Sequence, residues 1–136
     1  MFLALLPALY LHAQVTFQEY IGGSGVDYAY DMHKTPDGGY LFGALTTSHP
    51  GPQVRSWIIK TDANGDTLWT SVYSDTTGGL CDQQYINDIT PVTDGGAVAC
   101  GGKSICGDTS EGGNIARVDN KGNVLWLKYF PTYCDP

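Results

Sequence analysis

An internal repeat constrains the fold of this chain more than any other feature of its sequence. The segment TPDGGYLFGALTTS begins at Thr35, and a related segment with the same DGG turn begins at Val92. Aligned on these turns, matching residues fall 57 positions apart: Asp37 with Asp94, Asp62 with Asp119, Gly65 with Gly122, and Trp69 with Trp126. The register extends to Tyr28 with Tyr85, Asp31 with Asp88, and Tyr73 with Phe130. A fixed period of this length is typical of repeat architectures.

Turn chemistry divides each repeat into four short strands. In the first repeat these are DYAYDMHKT, YLFGALTT, WIIKT and TLWTSVY, and in the second YINDIT, AVACGGKS, NIARV and VLWLKYF. The DGG turns favour tight hairpins because glycine accepts positive backbone dihedrals. Four antiparallel strands per repeat are typical of a β-propeller blade. The sequence therefore predicts an all-β fold with two four-stranded antiparallel blades, at residues 14–73 and 74–130.

Composition agrees with this fold class and excludes one class of partner. The 136 residues include 18 glycines and 9 tyrosines but only 15% charged residues, which fits short strands and tight turns. A formal charge of -7, with lysines and arginines scattered singly, would repel phosphate backbones. We therefore expect no nucleic-acid partner.

The N-terminal segment MFLALLPALYLHA, residues 1–13, is uncharged and apolar. It is shorter than the roughly 20 residues that a membrane-spanning helix needs, so it predicts a signal peptide, truncated at its start, and no transmembrane segment. Cleavage would leave Gln14 at the new N-terminus. The alternative is a buried first strand or helix, in which Pro7 fits poorly. We expect a secreted or cell-surface protein.

The motifs also resemble a known family. Tyr20, the glycines that follow it, Asp27, the DGGY that begins at Asp37, and the WIIKTDANG segment from Trp57 resemble propeller-like repeats of large secreted bacterial proteins. Those proteins carry a C-terminal sorting domain for type nine secretion. The second repeat departs from the pattern at Ala97, Asn114 and Arg117. The resemblance implies a scaffold or ligand-presenting module without a shared catalytic set.

Two blades cannot close a ring, since propellers commonly contain about 4 to 8. If each blade face buries ~400 Å² of apolar surface, one bare face forfeits ~10 kcal/mol, comparable to a domain's whole stability. We therefore expect further blades or other subunits to cover these faces. Residues 131–136 would begin the connection to a third blade, so the chain is interpreted as the N-terminal piece of a longer propeller.

Loops at one end of the blades are the predicted binding surface. In an antiparallel four-stranded blade, the second-to-third loop and the loop between blades emerge at the same end. The side chains expected there are Asp27, His49, Asp75, Asp82 and Glu111. Loops on a rigid scaffold often carry function. A cation or sugar-hydroxyl site is one interpretation, and solvated carboxylates are the other.

Other chemistry has weaker support in the sequence. DANGD at Asp62 offers three side-chain oxygens but lacks the spacing of a helix-loop-helix calcium site, so a hairpin turn is favoured. No cofactor is expected, and calcium is the weaker alternative. The histidines are His12, His33 and His49, and no nucleophile elbow, phosphate loop or Cys-x-x-Cys pair occurs. We expect no active site complete within these residues.

Four cysteines make disulfides plausible in an exported chain. Cys81, Cys106 and Cys134 are predicted to share the loop end. The preferred bridge joins Cys81 to Cys106, and Cys134 would pair with a residue beyond Pro136. Cys100 falls within a strand and is expected to be a buried free thiol.

The remaining expectations concern packing. Strand alternation places the tryptophans and several other aromatic residues in the core rather than in sugar-stacking platforms: Tyr40, Phe42, Trp57, Trp69, Tyr73, Trp126 and Phe130. Lys60 and Arg117 share one repeat position, so we expect each to pair with the aspartate two residues later, Asp62 or Asp119.

The leading function is a non-catalytic secreted scaffold or adhesion module for an extracellular or cell-envelope ligand, glycan or protein. The alternative is part of a propeller enzyme or carbohydrate-binding protein whose site spans several blades.

Overall fold

The structure, a computed structural model, describes residues 18–50, 53–74, 82–104 and 111–130. Within those residues it contains eight strands and no helix, which confirms the predicted all-β class. No helix in this part of the chain is long and apolar enough to cross a membrane. The strands are β1 (Asp27–Lys34), β2 (Tyr40–Thr46), β3 (Arg55–Thr61), β4 (Thr67–Tyr73), β5 (Gln83–Pro91), β6 (Ala97–Ser104), β7 (Glu111–Val118) and β8 (Val124–Phe130).

The strands form two four-stranded antiparallel sheets, as the repeat predicts. The first sheet has the order β1-β2-β3-β4 and the second the order β5-β6-β7-β8. Both sheets have a register shift at the same repeat position, after Ala29 in β1 and after Ile86 in β5. The two repeats therefore share their backbone irregularity as well as their strand order.

The tight turns lie where the glycine motifs predict them. Gly38 and Gly95 in the DGG turns have φ values of 89° and 86°, and Gly65 and Gly122 have 94° and 84°. In the DANGD turn, Asp62 Oδ1 accepts hydrogen bonds from the N–H groups of Asn64 at 2.8 Å and Asp66 at 3.0 Å. This segment is a hairpin turn, as favoured from its sequence.

The pairing expected between Lys60 and Asp62 is wrong. Lys60 Nζ lies 2.9 Å from Asp37 Oδ2 in the DGG turn, and Arg117 contacts the corresponding Asp94. The side chain of Lys60 crosses β2 toward the neighbouring turn, while Asp62 is occupied by backbone N–H groups. A Cβ at Gly39 would lie 2.1 Å from the Thr61 carbonyl oxygen and 2.7 Å from Lys60 Nζ, so the second glycine of the motif makes room for the backbone of β3 as well as for the cation.

The first sheet is apolar on both faces. One face contributes Leu41, Ile58 and Tyr73 to the larger buried cluster, against which Trp69 packs. The opposite face contributes Ala44, Trp57 and Ile59 to a second cluster, against which Ile21, Phe42 and Val72 pack. Because successive side chains of a strand point to opposite faces, this sheet needs a partner on each side.

The second sheet packs on the first through its leading strand. β5 lies against β1, β2 and β3, and Ile86 and Ile89 are fully buried in the larger cluster. A Cβ at Gly43 would lie 2.6 Å from Ile86 Cγ2, so this glycine allows the two sheets to approach closely. The backbone N–H of Gln84 also donates to the carbonyl of Val54 at 3.0 Å.

The far face of the second sheet is open. Trp126 is 41% exposed and Phe130 is 58% exposed, so their predicted places in the core are wrong within this chain, whereas Trp57 and Tyr73 are buried as expected. Cys100, on the same face, is a free and exposed thiol rather than a buried one. These errors share one cause, because none of the described residues forms a sheet packed on this face.

Candidate functional site

Asp27 begins β1 at the predicted loop end, and its carboxylate accepts hydrogen bonds from residues before β1 and at the end of β2. Its Oδ1 accepts from Thr46 Oγ1 at 2.5 Å, and its Oδ2 accepts from Gly23 N at 2.9 Å and Ser48 Oγ at 2.8 Å. Burial raises the pKa of Asp27, but these hydrogen bonds outweigh burial and lower it. The carboxylate therefore ties the segment before β1 to the end of β2.

Other predicted loop-end residues are described only in part. His49 is exposed and its charge also lowers the pKa of Asp27, which places both residues at one end of the first sheet. Glu111 is the first residue of β7 and pairs in register with Ser104, at the same end of the second sheet. Asp75, Cys81, Cys106 and Cys134 lie outside the described residues.

Asp82 belongs to a buried polar cluster near this end of the interface between the sheets. Its side chain is 4% exposed, and its Oδ2 lies 3.7 Å from Lys103 Nζ. The Lys103 ammonium lies 4.9 Å from the centre of the Tyr129 ring, and Tyr129 Oη donates to Gln84 Oε1 at 3.1 Å. A buried charge next to an opposite charge and an aromatic ring is partly compensated for lost hydration.

Two amides in or beside this cluster have unused hydrogen-bonding atoms. Within the described part of the chain, Gln84 Nε2 and Asn114 Oδ1 are buried without a hydrogen-bond partner. Asn114 Nδ2 donates to Gly102 O at 2.8 Å, and Asn114 pairs in register with Tyr129. The cluster therefore presents one free donor and one free acceptor, which suits water or a small polar group.

A second group of polar side chains lies where β1 meets β5. One ligand atom each from Asp31, His33 and Asp88 falls within 4.8 Å of the others, so these residues could hold a metal ion. Asp31 Oδ2 also accepts from Ile89 N at 3.0 Å and lies 3.4 Å from His33 Nε2. The Ile89 hydrogen bond is the largest influence on the pKa of Asp31, which is lowered although burial opposes the change.

Sequence reasoning missed most of both clusters, although signals for them were present. Lys103 follows Ala97, Ala99 and Gly101 in the period of two, which would have placed it on the packed face of β6. The 57-residue register aligned Asp31 with Asp88, but nothing in it indicated that the two strands would meet. Among the predicted residues whose side chains the structure describes, Asp82 is the one that lies in a buried cluster.

Comparison with known proteins adds no family to these observations. No protein-family model matches the chain, and a search of curated proteins found no match. The class of this molecule is therefore defined by its own structure, a repeat protein with two packed antiparallel sheets.

Proposed function

We propose that this chain is a non-catalytic, secreted repeat module of the β-propeller type, which serves as a scaffold or binding surface. The observation that carries the proposal is the packing of two four-stranded antiparallel sheets, related by a 57-residue repeat, face to face through β5. This is the arrangement that consecutive blades require. Each sheet is one blade in the proposal.

The roles of the acidic side chains support a non-catalytic module. Asp37, Asp62, Asp94 and Asp119 each accept a hydrogen bond from a backbone N–H in their own turn. Asp27 is similarly bonded to Gly23 and to two hydroxyl groups. Carboxylates used in this way shape their turns, and the hydrogen bonds that they accept favour the ionised form. Export is supported by the apolar residues 1–13, as in the secreted proteins that the repeats resemble.

The binding surface in this proposal is the loop end, which carries Asp27 and the exposed His49, with the buried Asp82 cluster near the same end. An extracellular or cell-envelope protein or glycan is the proposed ligand. The competing function, part of a propeller enzyme or carbohydrate-binding protein, would assemble its polar site from this end with loops of other blades.

A glycan array and a thermal-shift assay with calcium, both on the exported product of the full chain, test the proposal. A scaffold module is expected to give no tight glycan signal and no change in melting temperature with millimolar calcium. A specific glycan signal that is lost in a His49→Ala variant, but retained in the matched loop variant Gln53→Ala, would favour the carbohydrate-binding alternative instead.

A further inference from the structure

The interface between the two sheets has unlike sides. The first sheet contributes large side chains to it, namely Leu41, Ile58, Trp69 and Tyr73. The second sheet meets them with Ile86 and Ile89 of β5 and, farther from β5, with the small residues Ala97, Ala99, Ala116, Val118 and Gly122. At Gly122 a Cβ would lie 2.6 Å from Cε3 of Trp69, so the indole ring sits directly over the glycine. At this interface the Trp69 ring projects from the first sheet and packs on Gly122 of the second sheet. We call the first the projecting side and the second the receiving side.

The repeat places the projecting side of the interface a second time on the open face of the second sheet. Val98, Ile115, Trp126 and Phe130 lie 57 residues after the four large residues of the first sheet. Trp126 and Phe130 are exposed, while Val98 and Ile115 are half-buried. We call these four residues the projecting face. It has the side chains of a packed surface but no partner within the described residues.

The repeat positions of the receiving side recur on the outer face of the first sheet, where Ile21 from the segment before β1 also packs. A cavity of about 230 Å³ opens there, lined by Ala29, Phe42, Ile59, Thr61 and Gly65, with Glu19 and Ile21 beside them. The first five lie 57 residues before Ile86, Ala99, Ala116, Val118 and Gly122. Phe42 and Ile59 are larger than the alanines that follow them in the repeat, yet the cavity remains. We call it the receiving cavity.

We infer that copies of this chain associate head to tail, with the projecting face of one copy packed on the receiving cavity of the next. Gly65 occupies the repeat position of Gly122, so Trp126 of one copy meets Gly65 of the next as Trp69 meets Gly122 within the chain. A second copy is the occupant that the structure favours because each copy carries both halves of an interface already present inside it.

Head-to-tail contact is heterologous, so the assembly either closes into a ring or continues as an open filament. At two sheets per copy, two to four copies would complete a ring of the proposed propeller architecture, which commonly has about 4 to 8 blades. The association itself rests on the packing within the chain and not on the proposed ligand or on secretion. A formal charge of -7 on each copy opposes the contact, so added salt is expected to strengthen it.

Sedimentation velocity on the exported product of the full chain, over a range of concentrations, tests this inference. The wild-type chain is expected to form species larger than a monomer. Trp126→Glu removes the projecting ring, and Ala29→Arg places a long charged side chain at the mouth of the cavity. Each is expected to weaken association more than about thirtyfold, as loss of a central interface residue does. The control Leu125→Glu changes a side chain that is 56% exposed beside Trp126 and is expected to associate normally.

Mixing the two defective variants separates head-to-tail contact from other modes. Each keeps the half that the other has lost, so the mixture is expected to form a dimer with one copy of each. A wild-type chain that stays monomeric at millimolar concentration would overturn the inference. So would a mixture that contains only dimers of the Ala29→Arg variant, since that result means two projecting faces meet each other. If Trp126→Glu does not fold by circular dichroism, Phe130→Lys replaces it at a more exposed position.

Discussion

The carboxylate of Asp31 accepts a hydrogen bond from the backbone N–H of Ile89 at 3.0 Å, and this bond joins β1 of the first sheet to β5 of the second. Asp31 follows the register shift in β1, and Ile89 lies just beyond the equivalent shift in β5. The irregularity that the repeats share therefore places an acceptor on one sheet opposite a donor on the other.

Removal of this acceptor should loosen the contact between the sheets. Asp31→Ala leaves the N–H of Ile89 without its partner, and we expect a loss of about 1.5–3 kcal/mol in unfolding free energy, as for hydrogen bonds to charged groups. Urea denaturation measures the effect. Asp88→Ala is the matched control at the same repeat position. It should cost less than Asp31→Ala because it leaves the hydrogen bond between Asp31 and Ile89 in place, even though Asp88 also hydrogen-bonds to Asp31. An equal loss in both variants would contradict a joining role for Asp31.

Close approach of the sheets depends on the missing side chain at Gly43. Gly43→Ala places a methyl group 2.6 Å from Ile86 Cγ2, and we expect destabilisation of about 1–3 kcal/mol from overpacking. In the control Gly113→Ala, the new methyl group lies 3.9 Å from its nearest neighbours. Because alanine also restricts the unfolded chain, that variant should be neutral or more stable by about 0.4–1 kcal/mol. Thermal unfolding of both variants gives the comparison, and a harmless Gly43→Ala would mean that the sheets do not meet there.

The pair of Lys60 and Asp37 should be coupled, since the Lys60 side chain is 5% exposed. Asp37→Ala and Lys60→Met are expected to give a coupling energy of about 0.5–3 kcal/mol in a double-mutant cycle. Lys60→Arg should be tolerated, because Arg117 makes the same contact with Asp94 in the second repeat. A double-mutant cycle of Lys60 with Asp62 is the control. Coupling between Lys60 and Asp62, with none between Lys60 and Asp37, would contradict the ion pair with Asp37.

Stability should fall in acid because several carboxylates are bonded in the folded state. Hydrogen bonds from Thr35, Lys60 and Gly39 lower the pKa of Asp37 to about 2, and the pKa values of Asp27 and Asp31 are also lowered. A depressed folded pKa stabilises the fold fully above the ordinary value of 3.8 and loses this effect as pH falls through the folded value.

Urea midpoints measured between pH 7 and pH 2 should therefore be nearly level down to about pH 4 and then decline. An Asp37→Ala variant should show a shallower decline, because one of the responsible groups is gone. A stability that rises on acidification from about pH 4 would show that repulsion among the acidic groups outweighs their hydrogen bonds.

Export predicts a particular mature terminus. If residues 1–13 are a signal peptide, mass spectrometry of the protein recovered outside the cytoplasm should find Gln14 as its first residue. The matched variant Leu5→Arg interrupts the apolar run and should abolish export. Recovery of the intact Met1 terminus on the folded protein would favour the alternative of a buried first element.

The repeat register was sufficient to predict the strands, because the DGG and Asp-x-x-Gly turns define where each strand must end. It could not decide which neighbour a side chain reaches. Lys60 and Asp62 are close in sequence, but Lys60 extends across β2 to Asp37 on the adjacent hairpin. The alternation of side chains along β8 likewise predicted that Trp126 lies on a face built for packing. It could not show that none of the described residues would cover that face.

The candidate site was harder to predict because it depends on contacts between sheets. Asp82 was found from loop position alone, whereas its neighbours Lys103 and Tyr129 come from strands far apart in the sequence. Asp31 and Asp88 could be aligned with each other, but their approach follows from the packing of β5 across the first sheet. Strand patterns contain no information about that packing angle.

Two sheets of one design pack face to face, with the Trp69 ring over Gly122. Nuclear Overhauser contacts between the Trp69 ring protons and the α protons of Gly122 measure this relationship most directly, in a sample kept dilute so that only contacts within one chain remain. We expect strong contacts at this pair. Their absence, together with backbone contacts between β4 and β5 as neighbouring strands of one continuous sheet, would contradict it.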